Sequence, residues 1–523
     1  MTDDKNFYIT TPIYYVNDIP HLGHAYTSMA CDAMARFKRL DGYNTMFLTG
    51  TDEHGQKVLQ SAEKNNITPQ EHADKYSSNF RELTDLLNLS NDDFVRTTEE
   101  RHIKSAQEIW KRIVDKGDIY LDKYAGWYSV REEAFYAESE LTDGPNGEKI
   151  CPLGSVCEWQ EEESYFFKLS EWEDRLLKYY DENPDCILPK SRRNEVISFV
   201  KGGLRDLSVS RTSFDWGVPV PGDDKHVMYV WIDALTNYIT GLGFPDENAQ
   251  KFKDFWPADI HMVGKDILRF HAVYWPAFLM SAGLQPPKRV YAHGWWTVEG
   301  EKMSKSLGNA IAPKGLVDKY GLDQTRYYVL RQVPFGNDGD FSHETMVGRM
   351  NSDLANNLGN LVQRSLSMIA KNCDGKVPVY GAFSDADIKI MESAYHLLTQ
   401  IRDDMDVQAF NLAFDKIWYV IGEANAYIDE QAPWTLKKTD PTKMQTVLYT
   451  LAEVIRVVGL IIQPYMPESA SKILDQVAIP EEQRNFSCIH ADHALVSGTD
   501  LPKPQGVFPR YIEEEDADQK ATA

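Results

Sequence analysis

The first part of the chain alternates between short apolar runs and stretches with apolar residues at helical spacing. Residues 7–9 form a strand-like run. A loop rich in turn residues follows, and from Met29 to Leu40 the apolar residues recur on one helix face, with Gly42 where a C-terminal cap is expected. A strand that leads into a helix through such a loop is typical of the first unit of a nucleotide-binding α/β fold.

The pattern changes near residue 118. From there to about residue 210, aromatic and acidic side chains interleave and turn signals appear, which predicts an insertion that interrupts the sheet. Strand-like runs then return at 226–232, 261–263 and 290–298. The alternation predicts that the α/β domain resumes after the insertion.

Beyond about residue 340 the apolar spacing becomes helical. Ser342 is expected to cap a long helix that runs toward Ile369, and more helices are predicted at about 385–405, 410–430 and 442–463. This part is predicted to be an α-helical bundle. After about residue 478 the chain is rich in proline and ends in an acidic run, which predicts a loosely packed or disordered tail.

Composition and charge narrow the class of protein. The chain has 523 residues, 42% of them hydrophobic and 26% charged, as in a soluble globular protein with several domains. A net charge of −24 excludes a global basic field for nucleic acid, so any such site must be local. The six scattered cysteines indicate no disulfide framework, and the start lacks the features of a signal peptide. A cytoplasmic protein is therefore expected.

The loop before the first helix carries candidate phosphate-binding chemistry. It ends in His21-Leu22-Gly23-His24, where a helix N-terminus offers free N–H groups and the positive end of its dipole. Gly23 leaves room for the close approach of a ligand. His21 and His24, three residues apart, can both donate hydrogen bonds to phosphate oxygens.

Three other features each allow a functional and a structural interpretation. Asp52 follows a short strand, so it is either a ligand-binding carboxylate or the cap of the next helix. The loop from Lys302 to Gly308, with two lysines and two serines, is either a solvated surface loop or a mobile clamp on phosphate. Cys151 and Cys157 lack a second nearby pair of ligands, so two ordinary thiols are favoured over a zinc site.

Taken together, the His21–His24 segment and Lys302-Met-Ser-Lys-Ser306 resemble the two signatures of class I aminoacyl-tRNA synthetases. The resemblance extends to further segments, and with them the chain looks like the methionyl-tRNA synthetases over residues 7 to 475. These segments are Thr11–Tyr15, Thr51–Gly55, Tyr229–Ala234, Gly264–Ile267, His293–Trp296, Asn356–Asn360 with Arg364, and Gln431–Trp434.

The resemblance implies the fold class α/β, with a Rossmann-type parallel sheet split by a connective insertion and followed by an α-helical bundle. The predicted segments are the first catalytic half (1–117), the insertion (118–210), the second catalytic half (211–300), a stem-contact segment (301–342), the anticodon-binding bundle (343–478) and the tail (479–523).

The resemblance also implies the activity and the ATP site. Methionine and ATP, brought as its Mg²⁺ complex, would give methionyl-adenylate and pyrophosphate, and the methionyl group would pass to the 3′ end of tRNA(Met), including initiator tRNA. His21, His24, Lys302 and Lys305 are the expected catalytic residues. The expected ATP-binding residues are these four together with Gly23, Gly264, Asp266, His293 and Trp296.

Methionine and the anticodon have expected binding residues as well. Those for methionine are Ile13, Tyr15, Asp52, Trp231, Ala234, Leu235, Tyr238, Ile267 and His271. Leu235 departs from the proline that some relatives carry, which affects the rigidity of the pocket. Asn360, Arg364 and Trp434 match the residues that read the CAU anticodon, by stacking and by hydrogen bonds.

The insertion departs from zinc-bearing relatives. Ser129, Glu132 and Gly154 stand where some of them have zinc ligands, so no zinc is expected. The C-terminus lacks the appended oligomer-forming tRNA-binding domain, and a monomer is expected.

Three rival functions are weighed against this one. The synthetases for leucine, isoleucine and valine need a much larger editing insertion, and the cysteine enzyme needs zinc ligands in its pocket. A nucleotidyltransferase acting on a small substrate has no use for Asn360, Arg364 and Trp434. A non-catalytic tRNA-binding paralogue is disfavoured by the intact His21, His24, Lys302 and Lys305.

Overall fold

The computed structural model divides the chain into two compact units. The sheet unit comprises Asn6–Cys31 and Thr45–His293, and the helical unit comprises Met1–Lys5, Asp32–Asn44 and Gly294–Ala523. The residues described by the structure are 5–17, 19–131, 134–145, 147–302 and 311–513. The boundaries of the six segments expected from the sequence stay predictions.

The strands up to residue 293 range from two to twelve residues in length. In chain order they are β1 (Asn6–Thr10), β2 (Tyr14–Tyr15), β3 (Asn44–Asp52), β4 (Asp93–Arg96), β5 (Ile119–Ser129), β6 (Ala134–Tyr136), β7 (Thr142–Asp143), β8 (Lys149–Ile150), β9 (Val156–Phe167), β10 (Ile187–Leu188), β11 (Leu207–Ser208), β12 (Ser210–Arg211), β13 (Val227–Met228), β14 (Ile260–Gly264) and β15 (Val290–His293).

Seven of these described strands form one sheet in the order β10–β15–β14–β1–β3–β2, with β4 also paired to β3. The pairs β1–β14, β14–β15, β10–β15, β2–β3 and β3–β4 are parallel. The expected Rossmann-type parallel sheet is therefore confirmed. The insertion adds an antiparallel sheet in the order β6–β5–β9–β8–β7, with β11 paired to β9.

Helices cover the parallel sheet, because its strands are apolar on both faces. They are α1 (Leu22–Leu40), α2 (Gln56–Lys64), α3 (Pro69–Leu86), α4 (Glu100–Lys116), α5 (Glu173–Glu182), α6 (Lys190–Lys201), α7 (Val230–Leu235), α8 (Asn237–Thr240), α9 (Gln250–Phe255) and α10 (Trp275–Ser281). A 3₁₀ turn at Lys265–Ile267 and a π-helical turn at Phe270–Tyr274 precede α10.

The helical unit begins with a small sheet of β16 (Trp296–Val298), β17 (Glu301–Lys302) and β18 (Gly339–Phe341). Its helices are α11 (Pro313–Tyr320), α12 (Leu322–Arg331), α13 (His343–Arg349), α14 (Asn360–Asn372), α15 (Asp385–Asp406), α16 (Phe410–Gln431), α17 (Pro433–Thr439), α18 (Pro441–Ile462) and α19 (Pro467–Gln476). Ser342 caps α13 by accepting from the N–H of Thr345, as predicted. A π-helical stretch at Met350–Gly359 joins α13 to α14.

Helix α18 lies in the core of the bundle. Among the described helices it alone is long and apolar enough to cross a membrane, and 94% of that apolar window is buried inside the protein. Its two buried charges satisfy each other, with Arg456 Nη2 donating to Glu453 Oε1 at 2.6 Å. The helix predicted at about 442–463 is therefore present as a buried core helix.

The expectation of a loosely packed tail is wrong for residues 479–513. Phe486 is buried and meets Phe37 with ring centroids 5.1 Å apart. Arg456 donates to the carbonyl of Cys488, and the Tyr449 hydroxyl donates to the carbonyl of Leu495, both at 2.8 Å. This segment therefore packs along the bundle through long-range contacts that its proline-rich composition does not reveal.

Two strand-like runs are also divided in the structure. In the run at 226–232, only Val227–Met228 is a strand, and α7 begins at Val230. The run at 290–298 breaks at Gly294 into β15 and β16, which belong to different sheets. A Cβ added at Gly294 would lie 2.3 Å from the carbonyl carbon and oxygen of Asn337, so a second chain segment imposes this break.

Replacing Gly294 by alanine is expected to lower the free energy of unfolding by about 1–3 kcal/mol, because the clash is with backbone that cannot move aside. The midpoint of urea unfolding measures the change. Gly422→Ala is the matched control, since Gly422 is exposed on α16 with nothing near its added Cβ. The control should raise stability by about 0.5–1 kcal/mol. Equal effects of the two substitutions would contradict the prediction.

Candidate active site

The first turn of α1 stacks His21 on His24, with ring centroids 3.8 Å apart. The backbone N–H of His21 donates to Nδ1 of His24, and the backbone N–H of Gly23 donates to Nδ1 of His21, both at 3.1 Å. Since each Nδ1 accepts a hydrogen bond, the proton of each neutral ring is on Nε2. The local backbone thus selects one tautomer for both histidines.

Burial keeps both imidazoles neutral. It lowers the pKa of His24 well below its ordinary value, and the neighbouring His21 lowers it further. Tyr14 and Phe80 enclose the His24 ring, with centroids 4.9 and 5.2 Å away. Burial also lowers the pKa of His21, although the Asp266 carboxylate acts in the opposite direction. The site therefore offers two neutral Nε2–H donors.

The ends of two parallel strands are linked to this turn. Gly264 at the end of β14 lies beside His293 at the end of β15. The Thr27 hydroxyl donates to the carbonyl of Gly23 at 3.1 Å, so the 2.6 Å contact with His293 requires that Nε2 of His293 donates to Thr27. A Cβ on Gly264 would lie 2.5 Å from Asp266 Oδ1. The structure thus brings together the predicted nucleotide-binding residues of the sheet unit.

Asp52 lies in β3 and does not cap the next helix. The strand continues through Asp52, and the N-cap of α2 is Gly55, which makes no side-chain capping hydrogen bond. The capping interpretation is therefore wrong. Asp52 pairs with Tyr15 across β2 and β3, and the carbonyl of Asp52 accepts from the N–H of Val16 at 3.2 Å. The backbone of Asp52 is therefore held next to the loop that leads to His21.

A chain of hydrogen bonds joins three of the predicted methionine-binding residues. His271 donates from Nδ1 to the carbonyl of Ile267 at 2.9 Å, which leaves Nε2 to accept from the Tyr238 hydroxyl at 2.6 Å. Burial lowers the pKa of His271 to about 4, against the opposing effects of the Ile267 hydrogen bond and Asp266. His271 is therefore neutral and fixed in orientation.

The remaining predicted pocket residues surround this chain on neighbouring elements. Trp231 stacks on Phe270, with ring centroids 3.5 Å apart. Ala234 and Leu235 are buried in α7. Ile13 packs against β3, because a Cβ added at Gly50 would lie 3.0 Å from its Cγ2. The sequence did not indicate that Phe270 stacks on Trp231, and its only indication is the position of Phe270 next to His271.

In the helical unit, Trp296 is buried in β16 and lies over Gly339 of β18, where a Cβ would come within 3.1 Å of the indole. Strand β17 ends at Lys302. The side chain of Lys302 and the whole of Lys305 lie outside the described residues.

The three predicted anticodon-binding residues occupy neighbouring helices of the bundle. Asn360 and Arg364 lie one turn apart on α14, and Trp434 is the second residue of α17. The Arg364 guanidinium lies 5.4 Å from the centre of the Trp434 ring and donates to Asp429 at 2.7 Å. Trp434 is 44% exposed, so part of the indole is accessible to a ligand.

Metal ligands are absent from the described part of the insertion. Cys151 and Cys157 are buried free thiols. Across the residues that the structure describes, no three His, Cys, Asp or Glu side chains are placed to hold a metal ion. Glu132 lies outside the described residues.

Comparisons with known proteins agree with this arrangement. Residues 7–366 match the family described as class I tRNA synthetases (M), and residues 377–522 match the anticodon-binding domain of methionyl tRNA ligase. The chain belongs to the methionyl-tRNA synthetases. It is accordingly a class I aminoacyl-tRNA ligase that charges tRNA with methionine, as the resemblance of the two signature motifs and the further segments implied.

Individual relatives match this synthetase over nearly its whole length. The methionine–tRNA ligase of Mesorhizobium japonicum is 59% identical, with 98% of each chain covered. That of Rickettsia bellii is 53% identical over 98% of this chain and 100% of its own. The Mycobacterium tuberculosis methionyl-tRNA synthetase in complex with methionyl-adenylate superposes with a TM-score of 0.95 at 53% identity, covering 97% of this chain and 100% of that structure.

One buried cluster in this synthetase was missed by the sequence analysis. Asp233 lies in α7 and contacts His54 and His102, both far away in the chain. A signal exists in the sequence, because an acidic residue inside the apolar run Val230–Leu235 requires buried partners. Its partners cannot be deduced without the fold.

The buried neutral histidines predict a loss of stability in acid. The pKa of His271 is lowered to about 4 in the folded protein, whereas an unfolded chain has a histidine pKa of about 6.5. As the pH falls below about 6.5, the unfolded state binds more protons than the folded state. The contribution of His271 to the free energy of unfolding therefore decreases as the pH decreases. From pH 7.5 to 5.0 this loss is on the order of 2 kcal/mol.

Urea unfolding of the ligand-free enzyme at the two pH values measures this loss. His271→Gln should reduce the difference between pH 7.5 and 5.0 by about 2 kcal/mol, since glutamine does not titrate. The same pH dependence in the variant and the wild type would show that His271 is not the buried neutral group described here.

Proposed function

We propose that this enzyme forms methionyl-adenylate at the edge of its parallel sheet and charges tRNA(Met), including initiator tRNA, after reading the CAU anticodon with its helical bundle. The observation that carries the first part is the placement of Asp52 beside Tyr15, next to the His21–His24 turn. A carboxylate for an amino group and N–H donors for a phosphate are thus carried by neighbouring segments.

In the proposed first step, a carboxylate oxygen of methionine attacks the α-phosphorus of ATP. A new P–O bond forms, the bond to the β-phosphate oxygen breaks, and pyrophosphate leaves. No protein nucleophile is needed, so the enzyme acts by positioning and by stabilising charge on phosphate oxygens. The Nε2–H groups of His21 and His24 suit the α-phosphate oxygens, because the backbone holds both Nδ1 atoms as acceptors.

Lys302 and Lys305 are proposed to bind the leaving pyrophosphate, and the Mg²⁺ that accompanies ATP belongs to the substrate. Gly264 allows the nucleoside to approach β14 closely, since it has no Cβ. Asp266 is a suitable acceptor for ribose hydroxyls, and the resemblance implies nucleotide-binding roles for His293 and for Trp296 as well.

Methionine itself is proposed to bind through both of its ends. Asp52 pairs with the α-ammonium group, and the unbranched thioether enters the space lined by Trp231, Tyr238 and His271. Aromatic rings favour contacts with the polarizable sulfur. Since Tyr238 donates to the neutral His271, this hydrogen-bonded pair offers a fixed polar edge to the sulfur atom.

In the proposed second step, a ribose hydroxyl of the terminal adenosine of tRNA attacks the carbonyl carbon of the adenylate. The ester bond forms and AMP leaves. The exposed indole of Trp434 suits the stacking of an unpaired anticodon base, and Arg364 and Asn360 supply hydrogen-bond donors. Such local recognition is compatible with a net charge of −24.

The proposal extends to the state and location of the enzyme. We propose that the enzyme acts as a monomer. The six cysteines are free thiols, as in proteins of a reducing compartment, which supports a cytoplasmic location away from membranes.

Lys305→Ala should lower the rate of methionine-dependent ATP–pyrophosphate exchange at least tenfold, because a charge-assisted contact with pyrophosphate is worth roughly 1.5–3 kcal/mol. Methionine binding, measured by equilibrium dialysis, should change little. The exposed Lys503 supplies the control, and Lys503→Ala should retain wild-type exchange. Unchanged exchange in Lys305→Ala would remove this residue from the proposed role.

Trp434→Ala should retain pyrophosphate exchange and lower kcat/KM for tRNA charging by about 5- to 150-fold, since stacking of one base is worth roughly 1–3 kcal/mol. Tyr419→Ala is the control, because Tyr419 is another exposed aromatic residue of the bundle, on α16. If exchange and charging fell together in Trp434→Ala, the anticodon assignment would be wrong.

A further inference from the structure

A buried carboxylate with two histidine partners lies next to the proposed methionine site. His54 contacts Asp233 Oδ2 through Nδ1 at 2.6 Å, and His102 contacts Asp233 Oδ1 through Nε2 at 2.7 Å. Asp233 and His102 are fully buried, and His54 is 5% exposed. Burial raises the pKa of Asp233, but His54 and His102 outweigh this effect and lower it to about 2. Because the carboxylate can only accept, both ring nitrogens that face it carry a proton.

The three residues come from three separate elements. His54 follows Asp52 by two residues, His102 lies in α4, and Asp233 lies in α7, next to Ala234. His102 also contacts the Thr240 hydroxyl at the end of α8 through Nδ1, at 3.2 Å. The cluster therefore connects the strand end that carries Asp52 with the helices that line the apolar part of the pocket.

The segment after Asp52 is held firmly on its other side as well. The Glu53 carboxylate accepts from Nε and Nη2 of Arg96, at 2.7 and 3.0 Å. The indole N–H of Trp216 donates to the carbonyl of Glu53 at 2.6 Å. The backbone that follows Asp52 is therefore held by the contacts of Glu53 as well as by the contact between His54 and Asp233.

We propose that Asp233 is a positioning residue which, through His54 and His102, sets the distance between the Asp52 carboxylate and the pocket wall on α7, and so selects amino acids by side-chain length. The inference rests on the proposed methionine site. Apolar packing alone discriminates only modestly between side chains that differ by one methylene. A fixed spacing between the ammonium ligand and the pocket wall adds a penalty for a side chain of the wrong length.

Steady-state pyrophosphate exchange tests this role, with L-methionine and its longer analogue L-ethionine as the two substrates. Asp233→Asn should raise KM for methionine at least tenfold and leave KM for ATP within twofold. The ratio of kcat/KM for methionine to that for ethionine should fall at least threefold. A residue that only stabilises the fold would affect both KM values alike.

Paired substitutions at the two histidines separate the effect of the hydrogen bond to Asp233 from the effect of side-chain volume. His54→Leu and His102→Leu should reproduce the effect of Asp233→Asn. His54→Asn and His102→Gln place an amide N–H near the original Nδ1 and Nε2, and should keep KM for methionine within about threefold of the wild type. If Asp233→Asn does not fold, the His54 pair decides, and equal KM values for His54→Leu and His54→Asn would overturn the proposal.

Two controls complete the experiment. Glu453→Gln removes another buried carboxylate, 1% exposed and in the helical unit, and should reduce stability without separating the two KM values. Asp52→Asn tests the methionine site itself, because unchanged KM for methionine would refute that site. An increase in KM for methionine in Asp52→Asn would support the methionine site. If Asp233→Asn then left both KM values unchanged, or changed both equally, the positioning role of Asp233 would be overturned while the methionine site stood.

Discussion

The parallel alignment of the central strands is the constraint on which the site depends. Because β1, β3, β14 and β15 belong to one parallel sheet, their carboxyl ends lie at the same edge. Tyr15 is placed beside Asp52, and Gly264 beside His293. The hydroxyl of Thr27 then links His293 to the first turn of α1. Residues from distant parts of the sequence meet in this way without a long loop.

Burial at this edge also determines the chemistry of the histidines. His21, His24 and His271 all have lowered pKa values because desolvation disfavours the charged imidazole. In each case a backbone group engages Nδ1, so the role of Nε2 is fixed before any ligand binds. The same desolvation makes the site sensitive to acid, since a neutral buried imidazole resists protonation.

The local parts of the fold were predictable from the sequence, and the non-local parts were not. The apolar spacing located α1 and the helices of the bundle, because helical periodicity depends on neighbouring residues. The break at Gly294 could not be predicted because it is imposed by Asn337. The packing of the tail could not be predicted because its partners are distant in the sequence. The proposed roles of the site residues come from motif resemblance, whereas the hydrogen-bonded cluster at Asp233 could not be predicted without the fold.

Buried carboxylates with polar partners occur in both units, and their energetic role differs from that of the apolar core. Asp32 with Arg326 in the helical unit and Asp233 with its two histidine partners in the sheet unit are fully buried carboxylates. A buried ion pair such as Asp32–Arg326 gains little net stability over an apolar replacement of similar volume. A buried carboxylate nevertheless restricts the arrangement of its neighbours, because each of its oxygens needs a correctly directed hydrogen-bond donor. Buried carboxylates at these positions therefore fix the distances between the segments that they join more than they stabilise the fold. A binding site for a small amino acid depends on such fixed distances.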